Sequence, residues 1–127
     1  MLYISLFLAG GLGVVARFVS VKGVNQILGD NFPYGTLFVN VFGSLLFGFL
    51  SWYVVQRWAN DTNVETMKTV VLTGLLGGYT TFSAFSMETL QLIQAGQIFK
   101  ASIYISISVL VCVFACFLGV FLAKQVV

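Results

Sequence analysis

Thr73-Gly-Leu-Leu-Gly-Gly-Tyr-Thr-Thr-Phe-Ser-Ala-Phe-Ser-Met-Glu-Thr89 lies inside an uncharged run from Thr69 to Met87. The run is long enough to cross a bilayer, yet its centre is poor in Leu, Ile and Val. Gly77 and Gly78 stand near mid-span, followed by the hydroxyls of Tyr79, Thr80, Thr81, Ser83 and Ser86 and by two rings, Phe82 and Phe85. Hydrocarbon offers no hydrogen-bond partner, so such a centre must face protein, an ion or water. Taken singly, each small or hydroxyl residue reads as helix–helix packing. Their density points to function. Two adjacent glycines weaken a helix and predict a break at Gly77–Gly78. A break there would free carbonyls for a cation and leave a half-helix N-terminus with positive character at mid-depth. On a helical wheel Phe82 and Phe85 are neighbours, with Thr89 beside them. Ring edges are electropositive and would attract an anion weakly along a narrow path; the alternative is that both rings are packing.

Working outward, the composition fixes the class. Of 127 residues, 59% are hydrophobic and 8% charged, with mean hydropathy +1.01, against about a quarter charged in soluble domains. The chain reads as an integral membrane protein. Met1-Leu-Tyr-Ile has no basic start and no cleavage signal follows, so a signal peptide is not expected. A net charge of +2 is too small to imply a nucleic-acid partner. Histidine is absent and the two cysteines, Cys112 and Cys116, lie one turn apart in an apolar run. Adjacent turns of one helix give poor disulfide geometry, and packing is a plainer reading than a bond or a metal site. No zinc, haem or redox constellation is present, and no enzyme is expected.

Four segments meet the roughly 20 residues that a spanning helix needs: Leu2 to about Val21, Pro33 to Gln56, Thr69 to about Leu92, and Ala101 to Ala123. The connections are short, so residues 1–127 read as a single all-α unit of four membrane helices with a broken third. Small residues recur every four positions at Ala9 and Gly13 and at Asn40, Ser44 and Gly48, each set on one helical face suited to contact with a second copy. Arg57, Lys68 and Lys124 fall on one side of the membrane, and Arg17, Lys22 and Lys100 on the other. This even split leaves the positive-inside rule without a preferred orientation. It predicts dual topology and an antiparallel homodimer.

Other motifs weigh differently. Gly11-Leu-Gly-Val-Val-Ala16 matches a dinucleotide fingerprint on paper but lacks the preceding strand and the acidic partner. Asn60-Asp-Thr62 is a sugar-acceptor triplet of the kind chance supplies. The Asn40 amide could face an anion or bridge helices. Arg17 and Glu88 are ionisable groups at or near membrane depth, hence functional candidates, although an interfacial, snorkelling position is preferred for Arg17. Tyr104, Ser108 and Cys112 form one polar line along the fourth helix, and Ser102 and Ser106 another. Either line could be a track of donors, or hydroxyls bonded back to their own helix.

The run Gly74-Leu-Leu-Gly-Gly-Tyr-Thr-Thr-Phe-Ser-Ala-Phe-Ser-Met-Glu-Thr89, with Gly35-Thr-Leu-Phe-Val-Asn40 upstream, resembles the Fluc family of fluoride channels, also called CrcB proteins. The resemblance covers essentially the whole chain. It implies a dual-topology antiparallel homodimer in a bacterial inner membrane that exports fluoride passively through two pores. By the same resemblance Phe82, Phe85 and Asn40 line the pore, with Thr81 of the motif beside them. Gly77 and Thr80 match the break whose backbone carbonyls hold a structural sodium ion on the dimer axis. Tyr104 and Ser108 match a polar track, with Cys112 where some relatives carry a hydroxyl. Arg17 resembles the first-helix arginine near the pore entrance and Glu88 the acid that closes the motif. The competing class is a small dual-topology multidrug exporter coupled to protons, for which Glu88 is the only embedded acid. A membrane scaffold would leave the hydroxyl lines without a purpose.

Overall fold

The computed structural model describes residues 1–59 and 62–126; Asn60 and Asp61 of the sugar-acceptor triplet lie outside them. The chain is helical. Helix α1 is Leu2–Leu28 and α2 is Tyr34–Arg57. Helix α3 covers residues 64–79, as an α-helical turn Val64–Lys68, a wide stretch Thr69–Leu76 with i→i+5 bonding, and a last turn Gly77–Tyr79. Helix α4 is Phe82–Gln94 and α5 is Ile98–Val126. With α3 and α4 counted as one interrupted span, four helices are long and apolar enough to cross a membrane.

The helices outrun the apolar segments that predict them. α1 passes through Lys22 and stops only at Gly29, whose φ of 80° breaks the helical path while its N–H still donates to the Asn25 carbonyl at 2.8 Å. A charge ends a hydrophobic run but not a helix, because the backbone ladder continues until a residue leaves αR. Pro33 stands just before α2, not within its first turn. There Gly35 N–H donates to Asn25 Oδ1 at 2.9 Å, so a side chain from the end of α1 satisfies a free amide at the start of α2. The π-helical stretch of α3 has no sequence signature. Such wide turns concentrate at functional sites.

The break itself lies three residues beyond the predicted Gly77–Gly78. Gly77 keeps helical torsions, and the chain turns extended at Thr80 (ψ 160°) and Thr81 (φ −152°, ψ 115°). Weak helix propensity does not decide the position. The Thr81 side chain does, by accepting the Ala84 N–H at 3.2 Å as N-cap of α4. Gly78 serves proximity instead: a Cβ there would lie 2.5 Å from the Gly10 carbonyl of α1.

α1 runs against α3, α2 against α5, and α4 against α5. The expected small-residue stripes are consumed by these contacts within the chain. A Cβ on Gly13 would collide with the Leu75 carbonyl, and one on Gly48 with the Cys116 carbonyl. Ala9 faces Gly74. Four helices with so little core hold together by letting backbones touch. Among the described residues only Tyr104 and Val39 are large side chains buried to less than 2% exposure, while a long series of apolar residues on α1 and α5 faces outward. For a chain in lipid, an outward apolar surface is expected.

Lys124 caps one end of the bundle, 4.6 Å above the Trp52 ring. Lys100 marks the other, donating to the Asn31 carbonyl at 3.4 Å. Arg17 belongs to neither end.

Candidate functional site

The break is held by two side chains from outside it. In a continuous helix the Thr81 N–H would close on the Gly77 carbonyl four residues back. Here it donates to Asn40 Oδ1 at 2.8 Å, and Asn40 Nδ2 donates in return to the Thr81 carbonyl at 2.9 Å. One amide thus replaces the helical partner of the Thr81 N–H and binds the Thr81 carbonyl as well, and Nδ2 carries a second hydrogen. Arg17 corrects its interfacial expectation. Its Nη1 donates to the Thr80 carbonyl at 2.9 Å, so the guanidinium sits at the depth of the break and not among headgroups. The carbonyl end of α3 carries partial negative charge, which favours a cation there. With Arg17 embedded, the loop charges divide three against two, still a weak bias.

These bonds bear on the cation site expected at Gly77 and Thr80. The Gly77 carbonyl is released because its helical donor has gone to Asn40. The Thr80 carbonyl already accepts from a guanidinium and can offer a cation only its second lone pair. Hard cations gather several oxygens, and one chain supplies these two. The donor chemistry fits a hard cation, but incompletely within a single copy.

On one flank of the break a groove of about 440 Å³ is lined by Asn40, Thr81, Phe82, Phe85, Ser108 and Cys112, among others. Phe82 and Phe85 lie with ring centroids 5.3 Å apart, and Phe85 continues to Tyr104 at 5.1 Å. Phe82 is 77% exposed, so it is not core packing of this chain. Ser108 is buried, and its hydroxyl has no partner among the described residues. That sets it apart from three other helix hydroxyls. Ser86, Thr89 and Ser102 each donate to the carbonyl four residues back, at 2.9, 2.7 and 3.0 Å. Ser102 and Ser106 are exposed, so the second serine line points away from the groove.

At the far end of the ring row, Glu88 accepts two short hydrogen bonds, from Tyr104 Oη at 2.7 Å and from Thr36 Oγ1 at 2.7 Å. It borders a small polar recess of about 250 Å³ with Asn25, Asp30, Asn31 and Gln91, at the mouth formed by the α1–α2 connection. A further recess of about 530 Å³ carries Arg17, Thr36, Thr81, Ser83 and Glu88 on the opposite flank of α4. The structure therefore gathers Asn40, Thr81, Phe82, Phe85 and Ser108 in one groove and joins Tyr104 and Glu88 to it through Phe85. Arg17 reaches the break from the other side. Gly77 contributes no side chain.

Sequence reasoning missed Thr36 and Asn25. Thr36 could have been found, since Thr36, Asn40 and Ser44 recur every four residues as one polar line on α2. Asn25 carried no signal, because its partner is a backbone N–H brought close only by the turn after Gly29.

Comparison with known proteins bears on the family of the chain. The profile of the family described as CrcB-like protein, Camphor Resistance (CrcB), matches residues 4–120. A protein of Methylococcus capsulatus named "Fluoride-specific ion channel FluC" is 45% identical over 118 residues, covering 93% of this chain and 50% of that protein. The chain thus spans half the length of that relative. One of the same name from Coxiella burnetii (strain Dugway 5J108-111) is 42% identical over 120 residues, 94% of this chain and 95% of the relative. Another, from Flavobacterium psychrophilum, is 42% identical over 118 residues, 93% of each. Four spans and channel relatives make this an integral membrane protein, and a drug exporter is not favoured. With a profile matched over residues 4–120 of its 127 and relatives more than 40% identical over nearly the whole chain, the chain belongs to the CrcB family.

Proposed function

We propose that this chain is a passive fluoride channel of the bacterial inner membrane, working as an antiparallel dual-topology homodimer with one pathway along each copy's groove. Names of relatives suggest the ion; the observation that supports the reading is the buried, unpartnered hydroxyl of Ser108, a residue that lines one groove together with Asn40, Phe82 and Phe85. Removing a small anion from water costs several kcal/mol even after relaxation. A pathway must return that energy through donors spaced along its length. Ser108 Oγ, the second Asn40 amide hydrogen, and the edges of Phe82 and Phe85 are such donors, and none is a fixed positive charge that would trap the ion. At the mouth Tyr104 and Thr36 each donate their one hydroxyl hydrogen to Glu88, which fixes the carboxylate and both side chains there. A structural sodium ion belongs to this reading, held by the Gly77 and Thr80 carbonyls of two copies, which together supply the oxygens one copy lacks. Its charge would offset the converging carbonyl dipoles at the break.

Two measurements test the proposal. Phe82→Ile or Phe85→Ile keeps an apolar group but removes the electropositive edge. Each variant should elute as a folded dimer yet lose fluoride efflux from proteoliposomes by about tenfold, the effect of roughly 1.4 kcal/mol on the barrier. Phe→Met should be milder, since a flexible thioether adapts. Normal flux in both Ile variants would show that the rings only pack. For topology, C-terminal reporter fusions should read both sides of the membrane, and two lysines added between Arg57 and Lys68 should force one orientation. A single orientation of the unaltered chain would contradict the antiparallel dimer.

A further inference from the structure

Beyond Ser108 the same groove meets two thiols. Cys112 and Cys116 follow Ser108 at steps of four along α5, which puts all three on one helical face, and all three line the groove. Neither cysteine is in a disulfide and both are partly exposed, with Ser44 of α2 as hydrogen-bond partner of the Cys112 thiol. Their positions are fixed, because Gly48 of α2 lies directly on the Cys116 carbonyl. The groove already shows one feature of a ligand site in the buried, unpartnered Ser108 hydroxyl. Side chains four apart on a helix have Cβ atoms about 5–6 Å apart. Adjacent turns do not give relaxed disulfide geometry, but two sulfurs at that spacing can close on one soft cation between them. Thiolates select soft metals, and no carboxylate lines this groove among the described residues.

We propose that Cys112 and Cys116 form a thiophilic-metal site in the groove wall, which takes one two-coordinate soft cation such as mercury(II) and thereby closes the groove. Two S–H bonds and the two bonds from mercury to its chlorides break, two S–Hg bonds form, and two protons and two chloride ions pass to water; no electron is transferred. The two thiolates cancel the charge of the dication. The product is neutral, which a low-dielectric membrane interior tolerates far better than a hard cation. Closure rests on the fluoride reading above, whereas metal binding does not.

The test uses the purified full chain and the double variant Cys112→Ser/Cys116→Ser, with mercury(II) chloride as probe. Bound mercury is counted after gel filtration, and thiolate-to-mercury absorption is recorded in the ultraviolet. Fluoride efflux from proteoliposomes is then compared before and after mercury, each protein against its own starting flux. The expected result is about one mercury per unaltered chain, as two-thiolate coordination requires, with the absorption band present and both signals absent from the double variant. Flux of the unaltered chain should fall by about tenfold or more, as for an obstructed constriction, and return on adding dithiothreitol. Single serine variants should bind mercury through one sulfur and be washed free more readily. Mercury bound equally by the double variant, or bound fully with no change in flux, would overturn the proposal. A chain that binds one mercury at both thiols yet moves no fluoride beforehand would sink the channel reading and leave the metal site supported.

Discussion

Where α2 crosses α5 the helices meet backbone to backbone; where α3 gives way to α4 they meet through hydrogen bonds to freed peptide groups. The first contact depends on an absence. Gly48 has no Cβ, so the Cys116 carbonyl can lie against its Cα, and dispersion between close-packed atoms holds the pair. The second depends on presence. Asn40 and Arg17 supply the partners that Thr81 and Thr80 lost when the helix parted. Both regions lie within the membrane, where an unpaired peptide group costs several kcal/mol. The comparison shows a division of labour: a tight seam that fixes two long helices, and a braced gap that exposes polar groups to a groove between them.

The seam should break first and hardest. Gly48→Val places a branched side chain against the Cys116 carbonyl, and α2 and α5 must part. Overpacking of this kind costs about 1–3 kcal/mol and at times more, so loss of a monodisperse peak in detergent is expected. A variant that stays folded with unchanged melting temperature would show that the seam is loose.

The brace is the next step down. Asn40→Ala removes both bonds to Thr81 and leaves a buried donor and acceptor exposed to apolar surroundings, at about 1–3 kcal/mol for each unsatisfied group. The protein should melt earlier and flux should fall, because the groove is shaped by the position of α4. Asn40→Asp keeps an acceptor for Thr81 N–H, but when ionised it sets a carboxylate oxygen against the Thr81 carbonyl in place of a donor, and should lower the melting temperature as well.

Ser108 and Ser102 sharpen the comparison at its small end. Ser108→Ala removes a buried hydroxyl with no partner, so stability should stay level or rise slightly, while fluoride flux drops. Ser102→Ala removes a hydroxyl bonded to its own helix, at 3.0 Å from the Ile98 carbonyl, and should change either property little, within about 0.5 kcal/mol for stability. Thermal melts and efflux assays on the same preparations separate the two. Equal loss of stability from both would mean that Ser108 is an ordinary packing residue.

Much of this protein was written in composition and periodicity. Four apolar runs gave four spans, since the bilayer sets one length and one permitted hydrogen-bonding scheme. The four-residue spacing of Tyr104, Ser108 and Cys112 placed them on one face, because helical geometry is local. The motif from Gly77 to Thr89 announced that the third span departs from a plain helix. Its location did not follow, because glycine only lowers the helix's resistance, whereas Asn40 and Thr81 supply the bonds that make the extended turn stable. The far end of α1 was misplaced for a similar reason: hydropathy reports solvent, and only backbone torsion at Gly29 reports termination.

Tertiary structure alone decided which of several equivalent residues act. Ser86, Thr89, Ser102 and Ser108 look alike in sequence, yet three bond to the preceding turn and one does not. The small-residue stripes offered themselves equally to a second copy or to the chain's own helices, and Gly13 and Gly48 were taken by α3 and α5. Arg17 could have reached the headgroups, but a carbonyl 63 residues away in sequence accepted it at the break. Local sequence sets which face a side chain is on and what bonds it is able to make. Which bond it does make depends on the distant groups that folding brings within about 3 Å.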